Sequence, residues 1–164
     1  GSLTRTVDFG RGPRPALAIP WGDVSTAYHS TSIPNITVYA AVPAAAIVAA
    51  RLTSPLRRVW GLGPVQRALH KWVDRRPAGP TDRQREQGGS WLWGEVRNAR
   101  GDRREARLET PEGYTLTALT ALGASRRAAA GDAPVGFQTP STAYGADFVL
   151  EFEGVRREDA HAPH

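Results

Sequence analysis

The sequence predicts an α+β fold: a mixed, mostly antiparallel sheet covered by helices on one face. Three observations carry this. Arg103, Glu105, Arg107 and Glu109 alternate with Arg104, Ala106, Leu108 and Thr110, the period of two of a half-exposed strand. Val65, Leu69, Trp72 and Val73 recur at helical spacing. Strand-like and helix-like stretches follow one another in mixed rather than strictly alternating order, and no internal repeat is present, which favours a layered α+β arrangement over a βα repeat.

At 164 residues the chain suits one domain with a real core, since a chain of this size buries roughly 70% of its unfolded surface without metals or disulfides. Gly1 and Ser2 read as the scar of a protease cleavage, residues 3–155 as a single domain and 156–164 as a flexible tail. The absence of Cys excludes disulfides, thiolate nucleophiles and Cys-based zinc or iron–sulfur sites. It also suits a reducing compartment, so a cytoplasmic location is expected. The longest apolar run, residues 38–50, is mostly Ala and holds Pro43, whereas a membrane span needs about 20 strongly apolar residues. A net charge of +5 raises the question of an anionic partner. The basic residues are nearly all Arg, with Lys71 the only lysine, and together with many Ala and Gly that is equally the composition of a GC-rich genome.

Taken in order, Val7 and Phe9 lie in a first strand, residues 10–15 in a Gly/Pro turn, 16–19 in a second strand and 35–42 in a third. Residues 20–34 between them are crowded with small hydroxyls plus Trp21, Asp23, Tyr28 and His29, few of which suit buried packing. This is the segment best suited to a site. Residues 44–52 should be helical from their Ala content, with Pro43 at the first turn. A second helical stretch covers 55–76, broken or kinked at Gly61, Gly63 and Pro64, and its later half is a basic amphipathic helix. Thr81 and Gln84 have capping-box spacing for a short helix stopped at Gly88 and Gly89. Residues 90–97 pair with 103–110 through a turn at 98–102. Trp91 and Trp93 then share a face with Glu95 and Arg97, suited to packing on a neighbouring element or a second subunit. Residues 110–113 form a turn, and 114–130 a helix ending at Gly131 with Leu116, Leu119, Leu122 and the alanines on its buried side. Thr139 and Pro140 should open a brief helix closed at Gly145. A last strand would turn Phe148, Leu150 and Phe152 to one face.

Few chemical motifs survive inspection. Gly10-Arg11-Gly12 lacks the third glycine and helix start of a dinucleotide cradle and reads as a hairpin turn. His70 and Asp74 lie four apart on a helix, but two such residues do not make a metal site. Asp23, Ser25 and His29 could be written as a triad, yet they crowd one short segment where triad partners converge from separate elements. A polar pocket is the more modest reading. Asp23, Ser25, Thr26, Tyr28, Ser30 and Thr31 would orient a ligand by hydrogen bonds, with Thr139 and Tyr144 from the later turn; an ordinary hydroxyl-rich strand and turn is the alternative.

Three blocks, residues 18–28 (AIPWGDVSTAY), 112–118 (EGYTLTA) and 136–147 (GFQTPSTAYGAD), together resemble the C-terminal part of saccharopine-dehydrogenase-like oxidoreductases, in the bacterial branch that includes trans-acting enoyl reductases. The likeness runs from about Val7 to Asp159. It implies an enzyme whose N-terminal Rossmann domain holds NAD(P), while this second domain covers the cleft, contacts a small-molecule substrate and pairs as a homodimer. No coenzyme is expected to bind this segment by itself, since the Rossmann half lies outside it. Two other readings stay open: a non-catalytic pairing domain using the Trp91 and Trp93 strand, and a binder of anionic lipid or nucleic acid through Arg57, Arg58, Arg67, Lys71, Arg75 and Arg76.

Overall fold

The structure, a computed structural model, describes residues 3–53, 61–75 and 79–161. It is an α+β protein, but its strands form two three-stranded antiparallel sheets where a single sheet was expected. The first holds β1 (Thr4–Asp8), β2 (Pro13–Ile19) and β3 (Val38–Ala41), the second β4 (Gly89–Arg97), β5 (Arg103–Pro111) and β6 (Arg156–His161), each in that order. Helices α1 (Asp23–Thr31) and α2 (Ala44–Thr53) flank β3; α3 (Gly63–Asp74) and α4 (Asp82–Gln87) precede β4. After β5 come α5 (Gly113–Ala129), the short α6 (Pro140–Tyr144) and a 3-10 turn (Phe148–Glu151).

Charge and aromatic rings join the sheets. In the β4–β5 register Trp93 lies opposite Arg107 and Glu95 opposite Glu105, so these residues share a face. Onto that face Arg5 of β1 sends two hydrogen bonds to Glu95, at 3.1 and 2.7 Å, with its guanidinium 4.7 Å from the centre of a Trp93 ring. Arg11 stacks on Trp91 at 3.9 Å, and Arg107 Nε donates to the Asp8 carbonyl at 3.0 Å. Each contact is a charge held against a polarised ring or carbonyl, and stacked Arg–Trp pairs are worth about 0.5–1 kcal/mol where partly exposed. Val7 shares the face of Arg5, as does Ala16, its cross-strand neighbour in the register. Both are buried. Thr4 points the other way, where Arg51 of α2 donates to its hydroxyl.

Several expected elements appear where the sequence placed them. Asn98 closes the β4–β5 turn by accepting from the backbone N–H groups of Arg100 and Asp102, both at 2.9 Å. The capping box of Thr81 and Gln84 starts α4, and Thr139 and Thr142 form another at α6. α2 matches its expected span, and in the helical stretch expected to be broken or kinked at Gly61, Gly63 and Pro64, α3 starts at Gly63 with Pro64 in its first turn. Residues 55–60 and Arg76, Arg57 and Arg58 among them, lie outside the described residues.

Other expectations fail for physical reasons. The 10–15 turn is shorter, with β2 beginning at Pro13, and the third strand spans only Val38–Ala41. Residues 148–152 are not a strand. Tyr144, Phe148 and Phe152 are spaced by four, which satisfies a helical as well as an extended period, and their rings stack successively at 4.9 and 5.2 Å. The last strand instead occupies the segment expected as a fraying tail. β6 sets Arg156 opposite Glu109 and Glu158 opposite Arg107, so charges that read as solvated stand across the ladder from charges of the other sign. On α5, Leu119 and Leu122 are exposed, and Leu116, Thr120, Gly123, Ala124 and Arg127 make the half-buried stripe. The facing rings explain the choice: a Cβ on Gly123 would lie 2.7 Å from the Phe152 ring, so bulk on the aromatic side demands small residues on the helix.

Candidate functional site

Residues 20–34, for which an ordinary strand and turn was the alternative to a polar pocket, hold helix α1. The reason lies in its hydroxyls. Ser30 Oγ donates to the Thr26 carbonyl at 2.8 Å and Thr31 Oγ1 to the Ala27 carbonyl at 2.7 Å, so side chains that ordinarily compete with a helix are satisfied inside it. Asp23 in the first turn complements the helix dipole. Ser32 ends the helix in the left-handed conformation, its N–H bonding the Tyr28 carbonyl.

The far end of α1 meets the start of α6. Thr139, buried, caps α6 through the backbone N–H of Thr142, and its hydroxyl lies 2.8 Å from Ser30 Oγ. Ser141 Oγ donates to Ser30 Oγ at 2.9 Å and sits 3.1 Å from the Thr139 hydroxyl. Three hydroxyls from segments more than a hundred residues apart thus close a ring. Beside it runs an open cleft of about 460 Å³. Asp23, Thr26, Ser30, Thr31 and Thr139 line its polar side; Ala27, Ala146, Phe148 and Val149 supply an apolar wall.

Of the eight residues the sequence singled out, the cleft gathers Asp23, Thr26, Ser30, Thr31 and Thr139. Ser25 and Tyr28 are exposed on other faces of α1, Tyr28 beside His29, which in turn stacks on Phe137 at 5.2 Å. Tyr144 donates its hydroxyl to the Ala124 carbonyl at 2.9 Å, with Arg127 stacked on its ring at 4.4 Å, so it braces α5 against α6. The triad written from Asp23, Ser25 and His29 is not assembled, because Ser25 and His29 share one face of the helix while Asp23 lies on another. Ser141 and Phe148 were missed. Ser141 stands two residues after a legible N-cap, where a side chain can turn back to the capping hydroxyl. No period foretold Phe148.

No protein-family model, curated protein or solved structure matches the chain.

The cleft can hold a ligand more readily than transform one. Its hydroxyls both donate and accept, Asp23 adds a carboxylate near one end, and the apolar wall suits a hydrocarbon segment. A dinucleotide cradle does not fit the described residues. The amides of Gly10 and Gly12 already donate to Asp8 Oδ1 at 2.8 and 3.0 Å, which takes them from a pyrophosphate, and the other G-x-G, Gly61-Leu62-Gly63, has Gln66 where the motif needs its third glycine. The strongest electrostatic feature lies elsewhere. Arg5 above all, with Arg97 and Arg103, holds the Glu95 carboxyl down to about 2 against the opposing effect of burial. Arg103 Nε comes within 2.7 Å of Glu95 without the alignment of a hydrogen bond, while Arg103 also pairs with Glu105. That cluster joins the sheets and is structural.

Proposed function

We propose that this chain is the substrate-side domain of an NAD(P)-dependent oxidoreductase of the saccharopine-dehydrogenase-like kind, with coenzyme carried by a separate Rossmann domain. One observation supports the reading best. Two of the three blocks that carry the resemblance, residues 18–28 and 136–147, run into a single cleft joined through Ser30, Thr139 and Ser141. In this role the chain's own residues bind and orient. The hydroxyls would fix the polar end of a small substrate, Asp23 would accept a hydrogen bond or face a cationic group, and the apolar wall would exclude water from the rest.

The extent of exposed surface agrees with a domain built to be covered. The chain exposes 12555 Å², where a compact monomer of its 17.7 kDa would expose about 8,000 Å². A coenzyme-bearing body over the cleft is one way to bury the difference.

The test is kinetic, in the full natural polypeptide. Asp23→Ala and Ser30→Ala should each lower substrate-dependent oxidation of the dihydronicotinamide by about tenfold or more, while circular dichroism stays unchanged. Tyr28→Phe, outside the cleft, should leave turnover alone. Unchanged kinetics in both cleft variants would remove the assignment.

A further inference from the structure

We infer that α3 is an interfacial helix that lies on anionic lipid bilayers. The inference stands apart from the coenzyme reading and rests on the geometry and exposure of one element. At about 100° per residue, Ala68, Trp72, Val65, Leu69, Leu62 and Val73 fall within an arc of about 140°. The opposite side carries Arg67, His70, Lys71 and Asp74, while Arg75 and Gln66 stand at the two borders of the apolar arc.

A core-facing helix of this design would hide its apolar stripe. α3 does so only in part: Val65 and Leu69 are half-buried, whereas Leu62, Trp72 and Val73 are 54, 54 and 57% exposed. No residue of the helix is fully buried. Val48 and Leu52 of α2 are exposed as well. At 12 residues α3 is too short to span a bilayer, and no helix among the described residues is long and apolar enough to do so.

Charge selects the occupant. Arg67, Lys71 and Arg75 against the single acid Asp74 leave the helix positive. Arg75, at the border of the arc, stands where a long stem lies along apolar surface and delivers its cation to a headgroup layer, and Lys71 follows it further toward the polar side. Trp72 beside them is the side chain most at home at that boundary, its ring apolar and its indole N–H polar. A nucleic acid would use the cations but leave the apolar arc in water. A second copy would bury the arc but set these cations against their own kind.

The experiment is flotation of the chain with vesicles of phosphatidylcholine alone and with about one-third phosphatidylglycerol, at low and moderate salt, for the native protein, Trp72→Glu/Val73→Glu and Lys71→Glu/Arg75→Glu. Both altered pairs are exposed, and circular dichroism verifies that the fold is kept. Binding to the anionic vesicles is expected, at least about tenfold weaker to phosphatidylcholine alone, falling with salt and at least about tenfold weaker in each variant. Equal binding by the Trp72→Glu/Val73→Glu variant, equal binding to uncharged vesicles, or none to anionic vesicles at low salt would overturn the inference. So would two findings without lipid: DNA binding tighter than vesicle binding, or a dimer by sedimentation that Trp72→Glu/Val73→Glu dissociates.

Discussion

Glu95 shows how one side chain can hold two sheets together. Its carboxylate takes two hydrogen bonds from Arg5 of the first sheet, one from Arg97 of its own strand, and the close approach of Arg103 from β5. Because the folded carboxyl is held near 2 rather than in the ordinary range around 4.5, the sign follows directly. The stability it contributes is complete above about pH 5 and is lost as the pH falls toward 2. With its side chain only 8% exposed, the contribution reaches up to about 3 kcal/mol. Denaturant unfolding at pH 7, 4 and 2.5 should therefore show a steep acid loss in the native chain. Glu95→Gln should be less stable at pH 7 and flatter below pH 5. A variant with the same acid slope as the native chain would place the acid sensitivity in other carboxylates. At the same scale, α1 was not read from the sequence: Thr26, Ser30 and Thr31 are poor helix formers by composition, and their bonds back to carbonyls of the preceding turn are what satisfy them inside a helix.

Among elements, β6 was the least legible. Arg156, Arg157, Glu158 and Asp159 carry no hydrophobic alternation, and a run of charges without apolar neighbours reads as a solvated tail. Its partner supplies what the segment lacks, because β5 sets Glu109 opposite Arg156 and Arg107 opposite Glu158. Strand identity here is a property of the pair. A charge exchange tests it. Arg156→Glu alone, which sets like charges across the ladder, should cost about 0.5–1 kcal/mol, and adding Glu109→Arg should recover most of that. Additive losses in urea unfolding would show that the register does not couple them. The β4–β5 hairpin, the capping box of Thr81 and Gln84 and the N-cap at Thr139, by contrast, were legible because turn residues, alternation and caps act within a few residues of one another. The 3-10 turn at Phe148–Glu151 failed as a strand because phenylalanines four apart suit either period until the ring of Tyr144 decides between them.

At the scale of the molecule, half of the candidate cleft was readable and half was not. Its hydroxyl-rich segment stood out because such residues have no reason to be buried. The meeting of that segment with Thr139 and Ser141 depends on a tertiary path through two sheets, which no local pattern encodes. The fold that results exposes more surface than its mass requires and keeps its cleft open. Both features suit a domain that works against another body.

The most direct test of that account is coenzyme binding by the full natural polypeptide, followed through the fluorescence of NADH and NADPH, with residues 3–161 alone as the comparison. The account predicts saturable binding of one or both coenzymes to the full polypeptide and none to residues 3–161, whose Gly10-Arg11-Gly12 turn is closed by Asp8. A full polypeptide that binds neither coenzyme would contradict it.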